Sequence, residues 1–333
     1  MSRTSSSLAS PAHPAPPVAP APSTHPATPR SVIPAHAGIS SRGLLTSFDA
    51  VLRSCLPGRG DRLIALDAAI RAPLALSTRV GVLGATPGAQ TAMVGGLLTA
   101  VLAARRPHRV LAASAHDAEP GIGWFAGITG PATSDETAIA RRATARTGAE
   151  ATDGLAQATG GGWAIDLAGR ADRWWDAVAP ISRFFDFVVT DWGSAMGLND
   201  VRAAGGVLLV VAEGTLESLR AGVELKARLD GADAPVLLAV LDRGDAPRGL
   251  AEVARVNGAS WLPGGRGLDK LDQRGQGLDK LDQRGREQGL DKLDQRKRRL
   301  GYATTTAVLE LAARVVAAAA PVPATPTRTE ASR

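Results

Sequence analysis

The fold is decided by RVGVLGATPGAQT, residues 79–91. An apolar run with the look of a buried strand, Arg79 to Gly84, passes directly into a turn rich in Gly and Pro. That turn opens TAMVGGLLTAVLAAR, which is spaced for a helix beginning at Thr91. A strand that feeds a helix through such a turn aims free backbone N–H groups and the positive end of the helix dipole at one point, the physical basis of phosphate binding. Against the pattern G-x-x-x-x-G-K-[ST], the segment GATPGAQT keeps Gly84 and Thr91 but has Ala89 for the second glycine and Gln90 for the lysine.

Working outward, the chain alternates short apolar runs with helical spacing, the pattern of a doubly wound, mostly parallel α/β sheet with crossover helices. Strands are expected at 79–84, 109–114, 163–168, 185–191, 206–212 and 235–242, and helices over 91–106, 134–148, 172–183, 215–229 and 248–257. Residues 44–78 read as a helical lead-in, because LLTSFDAVLRSCL and RLIALDAAI each present one apolar face. One domain is expected, formed by 79–265 plus a closing helical segment at 297–320, with an insert at 266–296. The insert carries GLDKLDQR without a mismatch at 267–274, 277–284 and 289–296. Structural repeats recur at roughly 20–50 residues and let their surfaces drift. Copies this short and this alike read instead as duplicated DNA, giving a solvated insert with no dedicated role.

Residues 1–43 hold nine of the 22 prolines among Ser, Ala, Thr and His, a composition expected to stay disordered; a Pro-rich arm that docks a partner is the functional alternative. Within it SVIPAHAGIS, residues 31–40, resembles translated dispersed genomic repeats of bacteria. Residues 321–333 read as a second disordered tail. The net charge of +6 divides into +3 on 1–43 and +4 on 266–299, leaving −1 for the rest, so it marks no nucleic-acid patch on the domain. Cys55 stands alone, no secretory signal is visible, and no run approaches the roughly 18 apolar residues of a membrane span. A cytoplasmic protein is expected. The closing helix lacks a basic amphipathic face, which argues against a membrane anchor there.

On these residues the run from Arg79 to about Leu262 resembles the MinD/ParA-like (SIMIBI-class) P-loop ATPases. Thr86 to Thr91, TPGAQT, is close to the TPGAGQT-type loops of the divergent actinobacterial branch associated with type VII (ESX) secretion. The Pro-rich N-terminus and the lead-in ALDAAIRAPLALSTRVGVLG fit the same branch. The resemblance implies ATP with Mg2+ as cofactor, held by Gly84, Thr86, Pro87, Gly88, Ala89, Gln90 and Thr91. It places Thr91 and Asp191, the end of FDFVVTD, at magnesium, and Asp242 of VLDR where the family reads adenine with an Asn. As strand-end acids, Asp191 and Asp242 have a plainer reading as caps of the turns that follow.

Carrying the family's pattern across also shows what is missing. The signature lysine that reaches across a nucleotide-sandwich dimer falls on Ala85, and the lysine that touches the β and γ phosphates falls on Gln90. An amide hydrogen-bonds phosphate but does not neutralise the charge that builds in phosphoryl transfer. Where the family has an Asp-x-Asp pair after the second strand, this chain has Ser114, Ala115, His116 and Asp117. Asp117 replaces the catalytic acid only if the register slips by one, and a solvated loop acid is its plainer reading. His108 and His116 have no second ligand at metal spacing, and of Trp174 and Trp175 one is expected in the core and the other at an interface. The reading that follows is a pseudo-ATPase, or a very weak ATPase, acting through other proteins, among them secretion-machinery components. The alternative is an active partition or positioning ATPase, although the missing lysine at Ala85 argues against the family's homodimer. A decaying reading frame is the third reading.

Overall fold

Strands that read as unbroken apolar runs need cover on both faces, and the sheet supplies it. The computed structural model describes residues 59–74, 76–128, 135–158, 161–194, 200–201, 205–230, 234–264 and 300–320. The Pro-rich tail, LLTSFDAVLRSCL, the GLDKLDQR copies and residues 321–333 lie outside them. Among the described residues the strands are β1 (Thr78–Gly84), β2 (Val110–Ser114), β3 (Ala156–Gln157), β4 (Gly162–Asp166), β5 (Phe187–Gly193), β6 (Val207–Glu213), β7 (Val236–Leu241) and β8 (Ser260–Leu262). They form one sheet in the order β3-β4-β2-β5-β1-β6-β7-β8. Only the β3–β4 pairing is antiparallel. β1 therefore lies centrally, between β5 and β6, where the strand order reverses; ligands of open α/β sheets bind beyond the carboxyl ends of strands at such a point.

The helices are α1 (Arg59–Ile70), α2 (Thr91–Arg105), α3 (Ile122–Phe125), α4 (Glu136–Ala143), α5 (Gly148–Thr152), α6 (Trp174–Ala177), α7 (Leu216–Leu229), α8 (Leu250–Val256) and α9 (Tyr302–Ala319). Alternation along each strand divides the core in two. Val80, Val82, Phe187, Val189, Leu209 and Val211 face α2, α9 and α1. Leu83, Val188, Trp192, Leu208 and Val210 face α6, α7 and α8. Each fully buried Val, Leu or Phe contributes roughly 1.5–3 kcal/mol relative to its exposed state, so both layers hold the helices on the sheet.

The doubly wound, mostly parallel architecture is the one the sequence pattern implies, with local departures. β3 and β8 are edge strands of two and three residues, too short to show a period. The helix expected over 134–148 is two, because Asp135 and Thr147 each cap a separate start, accepting from the N–H groups of Ala138 and Glu150. The helix expected over 172–183 is broken: 3-10 turns at Ala171–Arg173 and Ser182–Phe184 flank α6, and Pro180 lies between. Trp174 is buried and donates its indole N–H to Thr190 Oγ1 at 3.0 Å, while Trp175 is 44% exposed. In α2, Gly96 lets α3 approach backbone to backbone, since a Cβ there would lie 2.3 Å from the Phe125 Cβ.

Candidate functional site

The turn between β1 and α2 has defined internal geometry. Ala85 N–H donates to Val211 O of β6, which ties the start of the loop to the sheet. Gly84 fills a place where a side chain would crowd the turn: a Cβ would lie 3.2 Å from both Ala89 Cβ and Thr86 O. Pro87 and Gly88, the latter at φ 84°, form the centre of a type II turn closed by Ala89 N–H on Thr86 O at 3.1 Å. Gln90, at φ −77° and ψ 57°, is then the centre of an inverse γ-turn closed by Thr91 N–H on Ala89 O at 2.7 Å. Two amides that an anion cradle would present are thus spent on the loop's own carbonyls. The Gln90 side chain does not cap α2.

The loop is also fastened sideways. Thr86 and Ser218 share a hydroxyl–hydroxyl bond of 3.1 Å, and Ser218 Oγ accepts Glu213 N–H at 2.9 Å, so Thr86 is held to the start of α7. Ala85 turns toward the same helix, where a Cβ on Gly222 would lie 3.6 Å from its methyl. Thr91 is buried at the first position of α2. Outside 266–299 the sequence contains one lysine, Lys226, and its ammonium is paired with Asp230 on the exposed side of α7.

Asp191 lies on the sheet face that packs against α2, in register with Val82 of β1 and Ser114 of β2. Its side chain is fully buried. Oδ1 accepts Gly193 N–H at 3.1 Å, and Oδ2 lies 3.3 Å from His116 Nδ1, within ion-pair range but without a hydrogen bond. The close approach of Asp191 raises the His116 pKa above its ordinary value; burial opposes this, and the charges of Asp191, Asp117 and Asp166 add to the rise. A bulge at Trp192 reshapes the strand end, since Val82 pairs with Asp191 and Leu83 with Gly193. Gly193, at φ 63°, is the residue the imidazole lies on: a Cβ there would sit 2.6 Å from His116 Cδ2.

The remaining expected site residues have contacts of their own. Asp117 is exposed and packs beside Gly169 in the turn after β4, where its charge acts on His116. Ser114 Oγ donates to His116 O at 3.1 Å and so shapes the turn that carries the histidine. Asp242 accepts Gly244 N–H at 2.7 Å and closes its own turn beyond β7. His116 and Gly193 were not among the residues expected at the site. Only the pairing of β2 with β5 brings His116 to Asp191, while Gly193 lies two residues on in β5.

Magnesium needs oxygen ligands with free lone pairs, and the nucleotide needs converging amides and a cation. Here Asp191 Oδ1 accepts Gly193 N–H while Oδ2 faces His116 at 3.3 Å, the Ala89 and Thr91 amides are taken, and no lysine stands at 85 or 90. Among the described residues no group of three or more His, Cys, Asp and Glu gathers to hold a metal. In this geometry the loop offers a nucleotide's phosphates neither those two amides nor a lysine.

No protein-family model matches the chain, and no curated protein does. Solved structures share its fold. A ParA family ATPase from Chlorobium tepidum TLS is similar over 71% of this chain and 98% of its own, at 16% identity and a TM-score of 0.50. A chain of the MinC:MinD cell division protein complex of Aquifex aeolicus is similar over 74% of this chain and 98% of its own, at 14% identity and a TM-score of 0.50. The architecture is that of the MinD/ParA type of P-loop NTPase fold, and at these identities the likeness is one of fold. No helix among the described residues is long and apolar enough to cross a membrane.

Proposed function

We propose that this chain is a pseudo-ATPase on the MinD/ParA fold, acting in the cytoplasm through protein contacts, in the type VII secretion setting that its loop sequence resembles. The observation that carries the proposal is the placing of His116 beside the buried Asp191, over Gly193. An imidazolium beside a buried carboxylate supplies the positive charge that a metal ion otherwise would, and the glycine under it leaves room for the ring. The two self-closed turns of the loop and the absence of lysine at 85 and 90 support the same reading, because phosphoryl transfer depends on positioned positive charge. Nucleotide binds weakly or not at all. Work through a protein partner is in keeping with the similar Aquifex chain, solved in a complex with MinC.

The test is calorimetric titration of the chain with Mg-ATP and Mg-ADP, alongside turnover measurements on the wild type and Gln90→Lys. Weak or absent binding without turnover is expected. Appreciable wild-type hydrolysis refutes the proposal. It would favour the second reading, a partition or positioning ATPase, for which the retained Thr91 and Asp191 on the α2 face are the supporting feature.

A further inference from the structure

At the other end of the sheet from the loop, the amino-terminal ends of β2, β4 and β5 frame an open groove of about 610 Å3. That volume is in the range of small-molecule sites. Trp163 of β4 and Phe184, just before β5, give it aromatic walls, Arg109 and Arg183 give it positive charge, and His108 lines it beside them. No carboxylate is among the described residues that line it.

The cations are held in place. Arg183 lies over the Phe184 ring, 4.9 Å from its centroid, and donates through Nη2 to Ala145 O at 2.6 Å, which fixes the guanidinium while spending one of its donors. Arg109 shares Asp186 with Arg106, at 3.3 and 3.0 Å. Two arginines therefore share one carboxylate. The acid on α5, Glu150, is turned back to accept Arg146 N–H at 2.6 Å. His108 sits at φ 62°, unusual for a residue other than glycine, and is kept there by its N–H on Gly161 O at 2.7 Å. Its Nδ1 lies 3.3 Å from Gln157 Nε2. Strained backbone that its neighbours over-determine is a recurrent mark of binding sites.

We infer that this groove binds a small anion carried on a planar ring. The ring lies against Trp163 and Phe184, and the anionic group meets the guanidinium forks of Arg183 and Arg109, whose geometry suits phosphate or carboxylate oxygens. The site is independent of the β1–α2 loop and of the reading given to that loop.

Titration calorimetry of the full chain with phenyl phosphate tests the assignment, with inorganic phosphate as the comparison. Saturable binding with a Kd below about 1 mM is expected, at least about tenfold tighter than inorganic phosphate, which lacks the stacking ring. Arg183→Gln weakens binding about tenfold or more. That change also removes the tether to Ala145, so Ala149→Asp serves as a second variant: it places a carboxylate in the groove from an exposed position on α5. It is expected to keep the wild-type melting temperature and to lose binding. Gln90→Lys leaves binding unchanged. Absence of saturable binding, equal affinity for inorganic phosphate, or full binding by Ala149→Asp overturns the inference; tighter binding in Gln90→Lys does so too, because it moves the ligand to the loop.

Discussion

Replacing His116 by Gln keeps a polar side chain beside Asp191 but removes its positive charge. Removing one partner of a fully buried ion pair costs about 3–5 kcal/mol, because the other charge is left without compensation. Here Asp191 is fully buried but the His116 side chain is 32% exposed, so water reaches the carboxylate once the ring is gone. The Gly193 N–H also remains on Oδ1. A loss of about 2 kcal/mol is expected, a fall in Tm of about 4–8 °C for a domain of this size. The pH dependence has a definite sign. The folded-state pKa of His116 is raised, chiefly by Asp191, so its contribution is fully present below the unfolded value near 6.5 and is lost as pH rises through the higher folded value. Thermal unfolding followed by circular dichroism between about pH 6 and pH 9 should show the gap between wild type and His116→Gln widest at the acid end. The double variant His116→Gln, Asp191→Asn should recover most of the loss, since no buried charge is then left unpaired. Equal melting temperatures at the acid end, or a gap that widens with pH, would refute the ion-pair account.

Gly96→Ala forces a methyl to within 2.3 Å of Phe125 Cβ and 2.8 Å of Ile122 O, so α3 must shift off α2; a loss of about 3 kcal/mol in denaturant unfolding is expected. Trp174→Phe deletes the 3.0 Å bond to Thr190 Oγ1 in a dry layer and leaves a gap beside Trp192; a loss of about 2–3 kcal/mol should appear as a lower denaturant midpoint with unchanged slope.

Much of the architecture was legible because buried parallel strands announce themselves. VGVLG, FVVTD and LLVV read as strands from local composition, since each is apolar on both faces and bounded by turn residues. The breaks were less legible. Asp135 and Thr147 begin separate helices inside one apparently periodic stretch, and Pro180 interrupts another, where the apolar spacing outweighed the capping and breaking residues in the reading.

The sequence alone determined the strand–turn–helix at Gly84 to Thr91 and the loss of lysine at 85 and 90, because both depend on residues adjacent in the chain. It singled out Asp191 as the strand-end carboxylate for the same reason. It did not supply that carboxylate's partner. His116 meets Asp191 because β2 lies beside β5 although β3 and β4 intervene in the chain, and because Gly193 is flat enough for an imidazole to rest on. The spending of the Ala89 and Thr91 amides on the loop's own carbonyls likewise needed φ and ψ, which residue identity constrains at Pro87 and Gly88 but leaves open at Gln90. Local pattern reports which residues are buried; strand order and backbone angles decide which of them touch.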